Sequence, residues 1–212
     1  MKQVVWFGWV LAGALIVGCG SKSAGSGTLM TSVPADKPID TLSAADVSGL
    51  CADTNAYIRA SLSGGSLKAG LCRADGLAAA AQTAGDATAT DAQLGAACTS
   101  AESNCLSASA DPPVLPATGC ERAQANCTAS VGEYSACVMA VLAQVDQFLA
   151  SLPACAGLTR SGLEAANQGG GNLSQAPAAC QTYQAHCPGT GLVRNLQGLF
   201  GASSSGTTDG GG

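Results

Sequence analysis

The stretch SVGEYSACVMAVLAQVDQFLASLP, residues 130–153, decides the fold class. Ser130 followed by Glu133 has the form of a capping box, in which each side chain satisfies the other residue's backbone N–H. Pro153 stops what Ser130 starts, because it has no N–H to donate. Between them Val131, Tyr134, Val138, Val141, Val145, Phe148 and Leu152 recur at steps of three and four. That spacing lays one continuous apolar stripe along an α-helix. The stripe reads as plain core rather than as a cofactor box. Strand signals of period two are absent from the whole chain.

The same grammar recurs outward from this helix. Ser43 with Asp46 opens a helix that carries Val47, Leu50, Cys51, Thr54, Tyr57, Ile58 and Leu62 and stops at Gly64-Gly65. A second helix runs from about Ser66 through Leu67, Leu71, Ala74, Leu77 and Ala81, with Gly70 and Gly76 weakening it. Thr90 with Gln93 opens a third, holding Leu94, Ala97, Cys98, Ala101 and Cys105. DPPVLP (111–116) breaks the chain, and Thr118 with Glu121 starts a short helix holding Cys120 and Cys127. Residues 156–175, with NQGGGN, read as loop. Pro177 begins a helix with Cys180, Tyr183 and Cys187, and Leu192, Leu196 and Leu199 suggest a last turn or two. The expected fold is an all-α, disulfide-rich bundle of five or six helices over residues 42–200.

The chain has eleven cysteines, an odd number, so at least one sulfur lies outside any intramolecular pairing. Cys19 is the candidate. It ends the apolar run Val4–Val17, fourteen uncharged residues after the positive start at Lys2. A membrane span needs about 20 such residues, and a secretory signal needs fewer. Ile16-Val17-Gly18-Cys19 resembles the lipobox of bacterial lipoprotein signals. The resemblance implies that residues 1–18 are a signal peptide and that cleavage occurs before Cys19. A diacylglycerol thioether then forms on its sulfur, with an acyl chain such as palmitate on its new amino group. Gly20 and Ser21 follow, with no Asp, which in lipoproteins of two-membrane bacteria implies the outer membrane. Residues 19–41 read as a flexible tether and residues 201–212 as a disordered tail, by their Gly, Ser, Thr, Pro and Asp content.

Export places the other ten cysteines where disulfides persist: Cys51, Cys72, Cys98, Cys105, Cys120, Cys127, Cys137, Cys155, Cys180 and Cys187. CTSAESNC (98–105), CERAQANC (120–127) and CQTYQAHC (180–187) each set two cysteines seven residues apart. Seven helical residues rise about 10.5 Å. A disulfide needs Cα atoms within roughly 4.4–6.8 Å. Each such pair therefore looks to a neighbouring helix. One ladder joins Cys98 to Cys127 and Cys105 to Cys120. Another joins the 120/127 pair to the 180/187 pair, and the sequence leaves both open.

Composition excludes more than it assigns. With 11% charged residues and a formal net charge of −5, the chain gives no electrostatic reason to bind nucleic acid. The single histidine, His186, and the absence of any C-x₂-C leave neither a zinc pattern nor a redox motif. There is no G-x-S-x-G, phosphate loop or H-E-x-x-H, so no catalytic residue, cofactor or metal is expected. SGGS (63–66) and QGGGN (168–172) read as turns, since neither follows a strand.

NCTASVGEYSACVMAVLAQVDQFLASLPACAGL (126–158) and PAACQTYQAHCPG (177–189) resemble cysteine-rich lipoproteins of myxobacteria and their relatives. A Val-Gly-Glu-aromatic-x-x-Cys helix start and a final C-x₆-C-Pro carry the likeness. It is best from Cys98 to Pro188 and looser around Cys51 and Cys72. That family has no established biochemical function, so the resemblance implies an exported, disulfide-bonded helical domain and brings no active site. The leading expectation is a non-enzymatic envelope lipoprotein that binds the bilayer through acylated Cys19 and meets an envelope protein. The alternative is a carrier of a small apolar ligand or a protease-inhibitor-like domain, by analogy with other cross-linked helical bundles.

Overall fold

A computed structural model describes residues 28–108, 126–168, 175–188 and 192 of the chain. Six α-helices follow in order: α1 (Ala44–Leu62), α2 (Gly65–Ala84), α3 (Asp91–Ser107), α4 (Val131–Ala150), α5 (Arg160–Gln168) and α6 (Ala178–His186). A 3₁₀ turn at Ile39–Thr41 precedes them. Among the described residues there is no strand, only one isolated bridge between Pro38 and Ser130. The protein is an all-helical, disulfide-bonded bundle.

Three of the helices begin at complete capping boxes. In α1 the Ser43 N–H donates to Asp46 Oδ2 at 2.9 Å while the Asp46 N–H donates to Ser43 Oγ at 3.2 Å. Thr90 with Gln93 does the same for α3, and Ser130 with Glu133 for α4. Such caps matter because the first four N–H groups of a helix have no partner inside it.

α4 is the central helix. Its stripe packs as the spacing predicts, with Val131, Val138, Val141 and Val145 buried and Tyr134, Phe148 and Leu152 half-buried. Cys137, Leu142 and Leu149 are buried as well. α4 therefore has apolar contacts on two flanks, with α6 along one and α2 along the other. α2 in turn forms the longest seam among the described helices with α3. Two cores result. The larger gathers α1, α4, α6 and the start of α2. The smaller gathers Leu77 and Ala80 of α2, Leu94 and Cys98 of α3, and Cys155, Leu158 and Leu163. Leu152 touches both.

Two expectations about chain organisation are corrected. Residues 28–41 belong to the folded domain, not to the tether expected over 19–41, so the domain starts before residue 42. They form a strap with Leu29, Val33 and Ile39 buried in the larger core, next to Leu42. The strap completes the N-terminus of α4. Lys37 O accepts from the Val131 N–H at 3.0 Å and Ala35 O from the Gly132 N–H at 2.7 Å. Ser130 Oγ takes the Glu133 N–H and Glu133 Oε2 the Ser130 N–H. All four orphan donors of the helix start are thus satisfied. The remaining part of the tether, the signal peptide and the tail lie outside the described residues.

The second correction is α5, which occupies part of the stretch expected as loop. Thr159 Oγ1 accepts from the Gly162 N–H at 3.1 Å, a helix cap without a glutamate partner. Leu163 anchors the helix in the smaller core, and Ala166 packs beside it. The expected helix around Cys120 lies outside the described residues, and Cys127 itself sits in irregular backbone just after Asn126, whose φ is 73°. Of the expected last turn only Leu192 is described; it is helical and packs on the larger core.

Candidate functional site

The sulfurs are the first candidates. Four bridges are described: Cys72–Cys105, Cys98–Cys155, Cys127–Cys187 and Cys137–Cys180, with Cα separations of 5.3, 5.3, 4.2 and 4.4 Å. Cys51 is disulfide-bonded as well. No i, i+7 pair closes on itself, yet neither ladder forms. Cys98 and Cys105 reach two different elements, and Cys127 takes only one sulfur of the 180/187 pair, while Cys180 goes to Cys137 on α4. The reason lies in the α2–α3 seam. The two helices run antiparallel, so after the rung Cys72–Cys105 the position opposite Cys98 is Gly76. An ideal Cβ there would lie 2.6 Å from Cys98 O and 3.0 Å from Cys155 Sγ. The missing side chain makes the space through which Cys155 reaches Cys98. Cys19 and Cys120 lie outside the described residues.

His186 is the second candidate. It ends α6, half-exposed, and its Nδ1 lies 2.8 Å from Glu133 Oε1. The other carboxylate oxygen of Glu133 accepts from the Ser130 N–H at 2.8 Å. That backbone N–H first, then the His186 ring, hold the Glu133 carboxyl below the usual carboxylate range against its partial burial. The His186 carbonyl accepts from the Thr128 N–H at 2.9 Å, and the next residue is bridged to Cys127. Every contact joins the end of α6 to the start of α4, so the dyad works as a fastening. Among the described residues no three His, Cys, Asp or Glu side chains converge on a metal position.

The third candidate is an open groove of about 650 Å³ between α3 and the 155–159 segment. Its α3 wall is Ala92, Gly95, Ala96, Thr99, Ser100 and Ser103. One carboxylate, Asp91, stands at its end, and its Oδ1 already accepts from the Arg160 N–H at 2.9 Å. The Arg160 guanidinium turns away to donate to Ala84 O, Asp86 O and Ala89 O, closing the C-terminal end of α2. The groove is a small-residue trough with hydroxyls along one side. Sequence reasoning missed it, because Ala, Gly, Ser and Thr on the outer face of a helix carry no signal of their own.

The chain matches no family model, no curated protein and no solved structure. None of the helices is long and apolar enough to cross a membrane, among the described residues.

Proposed function

We propose that the protein is a membrane-anchored bacterial lipoprotein of the outer membrane, a non-enzymatic envelope module held by acylated Cys19. The observation that carries this reading is the state of the sulfurs. All nine cysteines among the described residues are disulfide-bonded. Disulfides on this scale persist in oxidising compartments, which implies export. The sequence supplies the route: a short apolar run that ends in Ile16-Val17-Gly18-Cys19. One acyl chain holds a protein to a bilayer only weakly, whereas several chains on one residue hold it firmly.

Sulfur arithmetic ties anchor and fold together. Eleven cysteines less the nine bonded ones leave Cys19 and Cys120. Eight of the nine pair among themselves, so the partner of Cys51 is one of those two. Lipid on Cys19 assigns Cys120 to Cys51. Peptide mass spectrometry of the membrane-extracted protein without reduction tests both statements. The expected products are a Cys51–Cys120 cross-linked peptide and an N-terminal peptide that begins at acylated Cys19. A Cys19–Cys51 peptide overturns the proposal. So does a Cys19→Ala variant that still fractionates with membranes at the mature size.

A further inference from the structure

We propose that the lipidated protein rests on the bilayer by one defined side, the face that carries the strap, with Met30 foremost and the α3 groove turned away. The inference rests on the anchoring reading and adds an orientation to it.

Reach limits which side of the domain can meet the lipid. Eight residues, 20–27, separate Cys19 from the first described residue, Thr28. Nine Cα steps span at most about 30 Å even when fully extended. A folded domain of this size is about 40 Å across. The pole opposite Thr28 therefore cannot touch the bilayer while Cys19 is seated in it. Had the tether run to residue 41, any side could have faced the lipid.

The chain joins the domain at a rigid point. Leu29 is buried and donates its N–H to Met139 Sδ at 3.3 Å, which fixes this point against the middle of α4. Ser32 fixes the next turn to α1, donating its N–H to Asp53 Oδ2 at 2.6 Å and its hydroxyl to the same oxygen at 2.7 Å. Met30, between them, is 81% exposed, the most exposed large apolar side chain described. A flexible thioether on a rigid support suits the headgroup boundary, since Met adapts to irregular apolar surroundings. The groove lies on α3, whose seam is with α2, whereas the strap packs on α4 and α1.

Charge selects the lipid. Around the strap, among the described residues, stand Asp36, Asp40, Asp46 and Asp53 against Lys37, which is paired with Asp46 at 2.8 Å, and Lys22, between Cys19 and the strap in sequence, offsets only part of the difference. This surplus of negative charge is repelled by anionic lipid. The matching surface is zwitterionic.

The mature chain carries a built-in assay, because its only tryptophans, Trp6 and Trp9, precede Cys19. Met30→Trp and Ser103→Trp each give a single indole at an exposed position, one on the strap and one in the groove. Each lipidated mature variant, which begins at Cys19, is reconstituted on vesicles of phosphatidylcholine with brominated chains, and flotation is scored with fluorescence. Expected is that both float, that M30W emission falls by about half and shifts to the blue, as for an interfacial indole, and that S103W emission does not change. Replacing part of the lipid by phosphatidylglycerol should weaken the M30W quenching. Equal quenching of the two, or none of M30W in floating protein, overturns the orientation and leaves the anchor standing. Failure to float overturns the anchor and the orientation with it.

Discussion

Gly76→Ala is the sharpest test of how the α2–α3 seam is built. In an exposed helix this change stabilises by about 0.8–1.0 kcal/mol, the difference in helix propensity. Here the added Cβ would meet Cys98 O at 2.6 Å, Cys155 Sγ at 3.0 Å and Cys98 Sγ at 3.1 Å. None of the three can step aside. One is backbone of α3, and the other two belong to the bridge that holds α3 to the segment after α4. Overpacking of a fixed core costs about 1–3 kcal/mol beyond any propensity gain. The expected net effect is therefore a loss of about 1–3 kcal/mol. In a domain of this size each kcal/mol lowers Tm by about 2–4 °C. Gly95→Ala is the internal control. It lies on the facing helix, and its Cβ would stand at an ordinary 3.4 Å from Cys155 O. It should gain about 1 kcal/mol by propensity alone. Thermal and urea unfolding with the disulfides intact read both. If Gly76→Ala melts at or above the parent temperature, the seam is not fixed by that close approach, and the account of the Cys98–Cys155 bridge falls with it.

Three further outcomes follow from the same contacts. Arg160→Lys should cost about 1–2 kcal/mol in urea unfolding, because a single ammonium cannot serve Ala84 O, Asp86 O and Ala89 O as the planar fork does; an unchanged midpoint would remove its role as the clamp on α2. The double variant Cys98→Ala/Cys155→Ala opens a 57-residue separation, worth about 4 kcal/mol in the chain-entropy account. Amide exchange should then rise first in α3 and α5, and uniform acceleration across α4 would contradict the two-core description. Asp46 is held below its ordinary range mainly by the Lys37 ammonium and Ser43, and Glu133 mainly by the Ser130 N–H. Depressed carboxyls contribute stability above their ordinary range and lose it as pH falls through their folded values. Stability should therefore decline between about pH 5 and pH 2, and Asp46→Asn/Glu133→Gln should flatten that limb; an unaltered acid limb would show the caps to be idle.

The helices that could be read from the sequence are those whose instructions are local. Ser43 with Asp46, Thr90 with Gln93 and Ser130 with Glu133 each write a start in four residues, and α4 writes its buried stripe in steps of three and four. α5 escaped because its inward apolar content amounts to Leu163 and Ala166, too little for a period, and its cap is a lone Thr159. The strap escaped for a different reason. Leu29, Val33, Ile39 and Leu42 follow no period, and their partners lie about 100 residues away: Leu29 on Met139, Ile39 on Ala129, Lys37 on Val131. Such backbone pairing leaves no trace in composition, so a Pro- and Asp-rich segment looks like a linker until the helix start it completes is in view. Gly70 and Gly76 were visible as defects in a helix, but not as contacts. An ideal Cβ on Gly70 would lie 2.5 Å from Leu149 Cβ, so the two glycines are where α2 admits α4 on one side and α3 on the other.

That double admission explains why the cross-links sit where they do. A helix that packs closely on two neighbours through glycine and alanine gains proximity and gives up apolar area, and hydrophobic gain scales with area at about 25 cal/mol per Å². The deficit is greatest in the smaller core, whose buried members are seven residues, two of them the Cys98–Cys155 pair itself. The larger core has α4 with its valines and leucines, and its bridges, Cys137–Cys180 and Cys127–Cys187, both bind the nine-residue α6. A helix that short is marginal alone. Cys72–Cys105 clamps the far end of the α2–α3 seam, and in the smaller core Cys98–Cys155 passes through the gap that Gly76 leaves. The four described bridges thus stand at the elements with the least apolar area of their own, and of the two residues of α2 that had to be small, Gly70 was chosen by Leu149 and Gly76 by a disulfide.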